Sequence, residues 1–266
     1  MNANTEAAYL GNALTERVGE FIRIRRDIHA HPELAFEEHR TAALVAQKLR
    51  DWGYEVTTGL GQTGVVGTLR RGQGSRRMGI RADMDALPIL ETGGVEWVSR
   101  THGRMHGCGH DGHTATLLAA ARMIAEDMNF DGTLHLIFQP AEEGAGGAVK
   151  MIEDGLFERF PCDAIYAFHN MPGIEAGRFV FRSGPAMASS DNVSIHLKGR
   201  GGHGAMPHEA VDTVVAAASI VMALQTVVSR NVDPLKAAVV TVGALHAGMA
   251  NNVIPEDASL ALSVRA

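Results

Sequence analysis

The chain has 266 residues, of which 45% are hydrophobic and 20% are charged. This composition predicts a globular protein of one or two domains and excludes a mainly disordered chain. The formal net charge of −6 leaves no basic surplus that would favour nucleic acid or an anionic membrane surface as a partner. Histidine is unusually frequent, with 13 residues. Because histidine is the commonest metal ligand and a proton carrier near neutral pH, these residues are the first candidates for function.

The sequence predicts a cytoplasmic protein. Two cysteines, Cys108 and Cys162, are too few for a disulfide framework in a chain of this size. The N-terminal residues lack a basic segment followed by an apolar one, so no secretory signal is visible. The longest apolar run, 214–228, is too short for a membrane span, and we predict that it is a buried helix.

The first two thirds of the chain alternate between helical and strand patterns. Predicted helices cover 5–27, 38–49, 113–128 and 147–154, and predicted strands cover 54–58, 63–70, 78–82, 133–139 and 164–168. This alternation predicts an α/β layered sheet.

The pattern changes near residue 187. A strand at 193–198, a glycine-rich turn at 199–207, a helix at 212–228 and strands at 237–244 and 258–264 follow in order. We therefore expect two domains, an α/β domain over 1–186 and a smaller α+β domain over 187–266. The last strand pattern runs to the terminus without a turn, as a terminal strand or a truncated chain would show.

Polar side chains follow three of the predicted strands at their carboxyl ends. These are Asp83 and Asp85, then Glu142 and Glu143, then His169. In open α/β sheets, sites form beyond the carboxyl ends of the strands. The sequence therefore predicts one convergent site, although an aspartate can also cap a turn and a lone histidine can be structural.

The densest segment is 102–113 (HGRMHGCGHDGH), in which Cys108 and His110 are separated by one residue. Thiolate and imidazole together favour zinc, and harder ligands would extend the choice to manganese or cobalt. The alternatives are a closed structural zinc loop and surface histidines without a metal.

For Glu142 and Glu143, one carboxylate would ligate metal while the other acts on a water. The alternative is a solvated acidic pair at a helix N-terminus.

Three further histidines have open interpretations. His29 and His31 lie beside Pro32 in an early turn, where they would be structural or line a pocket. His203, in the glycine-rich turn, is either a turn residue or a hydrogen-bond donor aimed at a substrate.

Seven short motifs occur in order along the chain. They are 29–34 (HAHPEL), 82–88 (ADMDALP), 105–113 (MHGCGHDGH), 139–143 (QPAEE), 168–170 (FHN), 201–203 (GGH) and 252–256 (NVIPE). Together they resemble the metal-dependent amidohydrolases of the hippurate hydrolase, N-acyl-amino-acid amidohydrolase and auxin-conjugate hydrolase group, which are relatives of the aminoacylases and di-zinc exopeptidases.

The resemblance implies a di-zinc-exopeptidase-like α/β catalytic domain with two divalent metal ions (zinc, manganese, cobalt or nickel) and a smaller lid domain through which the protein forms a homodimer. It implies hydrolysis of the amide bond of a small N-acyl amino acid or dipeptide, with Glu142 as the general base that deprotonates a metal-bridging water. The metal ligands that it implies are Cys108, His110, Glu143 and His169. Asp85 would orient the metal loop, and His106 and His113 would support it. His203 would stabilise the oxyanion in its own or the partner subunit's site, and Asn252 and Arg265 are weaker candidates for binding the substrate carboxylate.

One departure from the family matters. Family members continue further and supply a last histidine ligand, so the resemblance implies that both domains are incomplete at the C-terminus. Two alternatives therefore stand beside the amidohydrolase: a dipeptidase or aminopeptidase on the same scaffold, and an inactive fragment that binds metal or dimerises.

Overall fold

The computed structural model describes residues 3–185 and 187–266, with side chains at Thr15 and from Arg17 onward. The chain forms two compact units, Met1–Ile174 and Glu175–Ala266. The domain boundary predicted from the sequence falls on Ala186, which lies outside the described residues, and it stays a prediction.

The first unit is a five-stranded sheet covered by helices. Its helices are α1 (Ala3–Ala30), α2 (His39–Asp51), α3 (His110–Asp127), α4 (Gly147–Glu153) and α5 (Leu156–Arg159), and its strands are β1 (Glu55–Leu60), β2 (Gly64–Arg71), β3 (Arg77–Asp83), β4 (Gly132–Gln139) and β5 (Ala164–Ala167). The strand order is β1-β2-β4-β3-β5. β1, β2 and β4 are antiparallel neighbours, whereas β4, β3 and β5 run parallel. The predicted α/β layered architecture is confirmed.

Helices cover both faces of this sheet. On one face, α1, α2 and α3 pack on Leu134, Leu136 and Phe138 of β4. On the other face, Ile137 packs with residues of α4 and α5. Because alternate residues of a strand point to opposite faces, a strand buried on both sides has to be apolar almost throughout, which explains the continuous apolar run of β4.

Two helix ends differ from the sequence prediction. α3 begins at His110, three positions before the predicted start, because Gly109 (φ 95°) turns the loop directly into the helix. α1 continues to Ala30, so His29 is helical. The short helix α5 was not predicted.

The second unit combines one helix with an antiparallel sheet. Its elements are β6 (Ser190–Lys198), β7 (Gly202–His203), a 3-10 turn (Pro207–Glu209), α6 (Thr213–Asn231), β8 (Val239–Ala247), β9 (Val253–Ile254) and β10 (Asp257–Arg265). The main sheet has the order β6-β10-β8, and β7 pairs with β9. Ala217 of α6 packs with Leu260 and Leu262 of β10. This unit has the predicted α+β composition.

The prediction that the apolar helix is buried is wrong. Only one side of α6 packs on the sheet, while Val215 and Met222 on other sides are 61% and 70% exposed. By length and composition α6 is long and apolar enough to cross a membrane, and 11% of its most apolar 18-residue stretch is buried.

Candidate metal centre

The three parallel strands of the first unit deliver polar side chains to one edge of the sheet. β3 pairs with both β4 and β5 in parallel, so their carboxyl ends lie side by side. Asp83 ends β3 opposite Gln139 of β4. The segments that carry Asp85, Glu142, Glu143 and His169 therefore start at the same edge, and the structure brings these side chains together around His110.

His110 is the centre of this cluster. It is the first residue of α3 and its side chain is fully buried. Its Nδ1 hydrogen-bonds Asp85 Oδ1 at 3.2 Å. Its Nε2 makes no hydrogen bond and faces three carboxylates, with 3.6 Å to Asp83 Oδ2, 3.8 Å to Glu143 Oε1 and 3.9 Å to Glu142 Oε2.

Among the described residues, three overlapping groups of side chains could hold a metal ion, and all of them contain His110. Within each group the donor atoms lie within 4.8 Å of one another; the groups are Cys108–His110–His169, Asp83–His110–His113 and His110–Glu142–Glu143. Cys108 Sγ lies 3.3 Å from His169 Nε2. The four ligands that the resemblance implied are therefore neighbours, although Cys108 and His169 come from segments 61 residues apart.

A buried chain of hydrogen bonds supports these side chains. His113, one turn after His110, bonds Asp83 Oδ1 through Nδ1 at 2.6 Å and Asn170 Oδ1 through Nε2 at 2.5 Å. The rings of His113 and His169 are 4.7 Å apart. The sequence placed Asp83 at this edge of the sheet but did not predict its bond to His113, and it indicated no role for Asn170.

The electrostatics of the cluster favour a cation. Burial acts against ionisation of Asp83, but the hydrogen bond from His113 and the Arg81 charge outweigh it and lower the pKa of Asp83 to about 2. Burial, with the negative charge of Glu143, raises the pKa of the Cys108 thiol to about 12. Glu143 Oε1 is buried without a hydrogen-bond partner, as is His110 Nε2. Unpartnered imidazole and carboxylate atoms beside a thiol form a donor set that fits a borderline divalent metal ion.

Glu142 and Glu143 do not lie at a helix N-terminus, because α4 begins only at Gly147. The two carboxylates have different surroundings: the Glu142 side chain is 42% exposed, whereas that of Glu143 is 24% exposed. The backbone N–H of Glu143 donates to Asp85 Oδ2 at 2.9 Å. Asp85 therefore contacts both His110 and the segment that carries the acidic pair.

A second buried network connects α1 with the start of α3. His29 bonds Asp111 Oδ2 at 3.0 Å and Glu91 Oε1 at 3.2 Å. His106 lies beside it, with the two rings 6.2 Å apart, and neither ring nitrogen of His106 makes a hydrogen bond. Burial lowers the pKa of His106 to about 4. His31 instead bonds the backbone carbonyl of Asp27, as a structural residue would.

In the second unit, the structure brings two of the three predicted residues together. His203 lies in β7 opposite Val253, and its Nδ1 accepts from the backbone N–H of Ala205 at 3.1 Å. The carbonyl of Asn252 accepts from the N–H of Gly204 at 2.8 Å. Arg265 ends β10, at the opposite end of that strand from the turn that carries His203 and Asn252.

Comparison with known proteins identifies similar sequences and structures. The sequence pattern of Peptidase family M20/M25/M40 matches residues 79–250. The chain is 53% identical over 248 residues to a hippurate hydrolase of Campylobacter jejuni, a match that covers 93% of this chain and 64% of the relative. It is 40% identical over 247 residues to an N-acetyl-L-cysteine deacetylase of Bacillus subtilis, covering 92% of this chain and 59% of the relative. A thermostable carboxypeptidase 2 of Saccharolobus solfataricus is 40% identical over 260 residues, covering 96% of this chain and 66% of the relative.

Solved structures agree with these sequence matches. A putative aminohydrolase from methicillin-resistant Staphylococcus aureus has a TM-score of 0.86 at 38% identity, covering 100% of this chain and 69% of that one. A dinuclear metal binding peptidase from Bacillus subtilis has a TM-score of 0.75 at 35% identity, covering 96% of this chain and 65% of that one. The chain thus spans 64% and 59% of the length of the first two curated relatives.

Proposed function

We propose that this chain, which belongs to Peptidase family M20/M25/M40, carries the metal centre of a metal-dependent amidohydrolase that cleaves the amide bond of N-acyl amino acids. The relatives named hippurate hydrolase and N-acetyl-L-cysteine deacetylase support this substrate class. The observation that carries the proposal is the unpartnered Nε2 of buried His110, which lies among carboxylate, thiol and imidazole donors.

The proposed cofactor is a pair of divalent metal ions, with zinc, manganese, cobalt and nickel as candidates. Cys108, His110, Glu143 and His169 would hold them, because their donor atoms lie together and both His110 Nε2 and Glu143 Oε1 are buried without a hydrogen-bond partner. The similar Bacillus subtilis structure of a dinuclear metal binding peptidase supports the count of two. When bound, the ions would polarise the substrate carbonyl and make a water molecule more acidic.

The proposed chemistry is the addition of water to the acyl carbon followed by cleavage of the C–N bond. Glu142 is the proposed general base: its carboxylate reaches the cluster, 3.9 Å from His110 Nε2, while remaining 42% exposed to solvent and substrate. It would accept a proton from the attacking water and return it to the leaving nitrogen, releasing a carboxylic acid and an amino acid.

The remaining residues have proposed supporting roles. Asp85 would orient His110 and the Glu143 segment, since it accepts a hydrogen bond from each. His203 would stabilise the oxyanion, and Asn252 and Arg265 would bind the substrate carboxylate. A homodimer through the second unit and a cytoplasmic location stay predictions; sedimentation and cell fractionation would test them.

A second candidate function is hydrolysis of a peptide bond on the same scaffold. The relative named thermostable carboxypeptidase 2, at 40% identity, favours it. Both substrates present an amide beside a free carboxylate, so the two functions differ in the acyl group rather than in the attacking chemistry. Parallel assays with hippurate, an N-acetyl amino acid and an unblocked dipeptide would separate them.

The test combines metal analysis with turnover. The chain is loaded with Zn²⁺, Mn²⁺ or Co²⁺ and assayed on these substrates beside Glu142→Gln, which should lose about 10²- to 10⁴-fold in kcat while keeping its metal content. Glu153→Gln, which removes an exposed carboxylate paired with Lys150, is the matched control. Metal binding without turnover by the unaltered chain would support the inactive-fragment alternative. Full turnover by Glu142→Gln would exclude Glu142 as the base.

A further inference from the structure

Glu38 is a buried carboxylate that the proposed chemistry does not use. It is fully buried and directly precedes α2, the usual place of a helix-capping residue. Its side chain makes no capping hydrogen bond to that helix. Instead the carboxylate of Glu33 accepts from the N–H groups of Arg40 and Thr41, at 2.8 and 2.9 Å. Glu33 therefore caps the start of α2. Capping of this helix does not explain why the carboxylate of Glu38 is buried.

The Glu38 side chain reaches two other segments. Its Oε2 accepts from Thr63 Oγ1 at 2.5 Å, and its Oε1 accepts from the backbone N–H of Ala141 at 2.8 Å. Burial raises the pKa of Glu38, against the effect of the Thr63 hydrogen bond. Burying a carboxylate is unfavourable unless its oxygens are hydrogen-bonded. The bonds from Thr63 and Ala141 therefore stabilise it there, together with the backbone N–H groups of Phe36 and of Glu38 itself, which also lower its pKa.

Ala141 has an unfavourable backbone conformation. Its φ of 51° lies in the left-handed region, which a residue with a Cβ adopts at a cost of roughly a factor of ten in population. Its N–H is bound by Glu38, and its carbonyl accepts from the N–H of Gly147 at 3.0 Å. Gly147 packs so closely that a Cβ there would lie 1.8 Å from the Pro140 carbonyl oxygen. The turn is thus fixed at both ends of Ala141.

This turn sets the direction of Glu142. On one side, the N–H of Ala141 is held by Glu38; on the other, the N–H of Glu143 is held by Asp85 at 2.9 Å. Within the described part of the chain the Glu142 carboxylate itself makes no hydrogen bond, so its aim depends on the backbone that these two buried carboxylates fix.

We infer that Glu38 is a positioning residue, which holds Ala141 in its left-handed conformation and thereby aims the Glu142 carboxylate at the metal centre. That the Glu142 carboxylate acts at a metal centre rests on the proposed function. The contact with the turn does not, so the two parts are tested separately.

The first test measures the backbone, without any turnover. Amide hydrogen exchange over residues 139–147 is compared in the unaltered chain, in Glu38→Met, which fills a similar volume without an acceptor, and in Glu38→Gln, which keeps one. Loss of a hydrogen bond to a charged acceptor predicts exchange about tenfold to a hundredfold faster at Ala141 in Glu38→Met. Glu38→Gln should restore most of the protection. Glu33→Gln, a matched loss of charge at a neighbouring backbone acceptor, should leave 139–147 unchanged.

The second test measures the reaction. In Glu38→Met, kcat should fall about tenfold or more while KM and metal content stay unchanged, because the Glu38 carboxylate hydrogen-bonds Thr63 and Ala141 and none of the proposed metal ligands. A structural role alone would instead lower the folded fraction and affect every property together. Should the unaltered chain prove inactive on N-acyl amino acids, the proposed function fails while the exchange result still decides the role of Glu38.

Ala141→Gly provides an independent check, because glycine adopts a positive φ without penalty. If Glu38 acts through Ala141, Glu38→Met should destabilise the Ala141→Gly variant less than it destabilises the unaltered chain. If Glu38→Met alone does not fold, recovery of folding in the Ala141→Gly background supports the inference and its failure to recover overturns it. Unchanged exchange at Ala141 in a folded Glu38→Met variant, or additive effects of the two substitutions, would also overturn it.

Discussion

Asp85→Asn should weaken divalent metal binding by about 10- to 100-fold. The Asp85 side chain is fully buried and accepts one hydrogen bond from His110 Nδ1 at 3.2 Å and another from the Glu143 N–H at 2.9 Å. Asparagine keeps one acceptor oxygen and turns an NH₂ group toward the other donor, so one of the two bonds is lost. A buried hydrogen bond to a charged group contributes about 1.5–3 kcal/mol. That range corresponds to roughly one to two powers of ten in an equilibrium constant, in agreement with the expected weakening.

The assay is competition with a chromophoric chelator for Zn²⁺ or Co²⁺ at fixed pH. Asp131→Asn is the matched control, since Asp131 also accepts two backbone hydrogen bonds, from Gln73 and Gly74, but does so at the opposite end of β4. Thermal unfolding of the metal-free variants shows whether both remain folded. Metal affinity equal to that of the unaltered chain in folded Asp85→Asn would refute the assignment of His110 and Glu143 as ligands oriented by Asp85.

Three further predictions concern stability. The carboxylate of Asp111, with that of Glu91, raises the pKa of His29 above 6.5, so the contribution of His29 to stability is complete below pH 6.5 and is lost as pH rises through the folded-state pKa. In urea unfolding, the difference in stability between the unaltered chain and His29→Gln should shrink from pH 6 to pH 9, and a difference that grows would contradict the prediction. Asp212→Ala removes the acceptor for the N–H groups of Val214 and Val215 at the start of α6 and should cost about 1 kcal/mol in unfolding free energy, whereas no loss would mean that water replaces the cap. Phe138→Ala, at a fully buried position in β4, should cost about 3–5 kcal/mol by the same measurement, and a loss below about 1 kcal/mol would show that the surrounding core collapses into the space.

Much of the first unit could be predicted because its signals are local. An apolar run such as 133–139 predicts a strand, and β4 occupies Gly132–Gln139. The placing of Asp83, Glu142 and His169 after parallel strands predicted that they meet, because parallel neighbours end at the same edge. The chain's family also followed from its motifs, and the comparisons confirm it.

What could not be predicted depends on contacts between distant segments. Nothing local distinguishes Glu38 from a helix-capping residue, since its partner Ala141 is 103 positions away. The bond between Asp83 and His113 could not be predicted either, because it exists only once β3 and α3 have packed together. The burial of α6 was predicted from composition, yet composition does not tell which sides of a helix find a partner.

The two hydrogen bonds that fix the backbone on either side of Glu142 also affect the order of folding. These bonds close loops of 103 and 58 residues, from Glu38 to Ala141 and from Asp85 to Glu143. Contacts of such long sequence separation form late, because the entropy of closing the loop is lost before the contact is gained. During refolding, helical content should therefore return before the amides beside Glu142 become protected, and a nascent chain would form helix α3 before the direction of the Glu142 carboxylate is fixed.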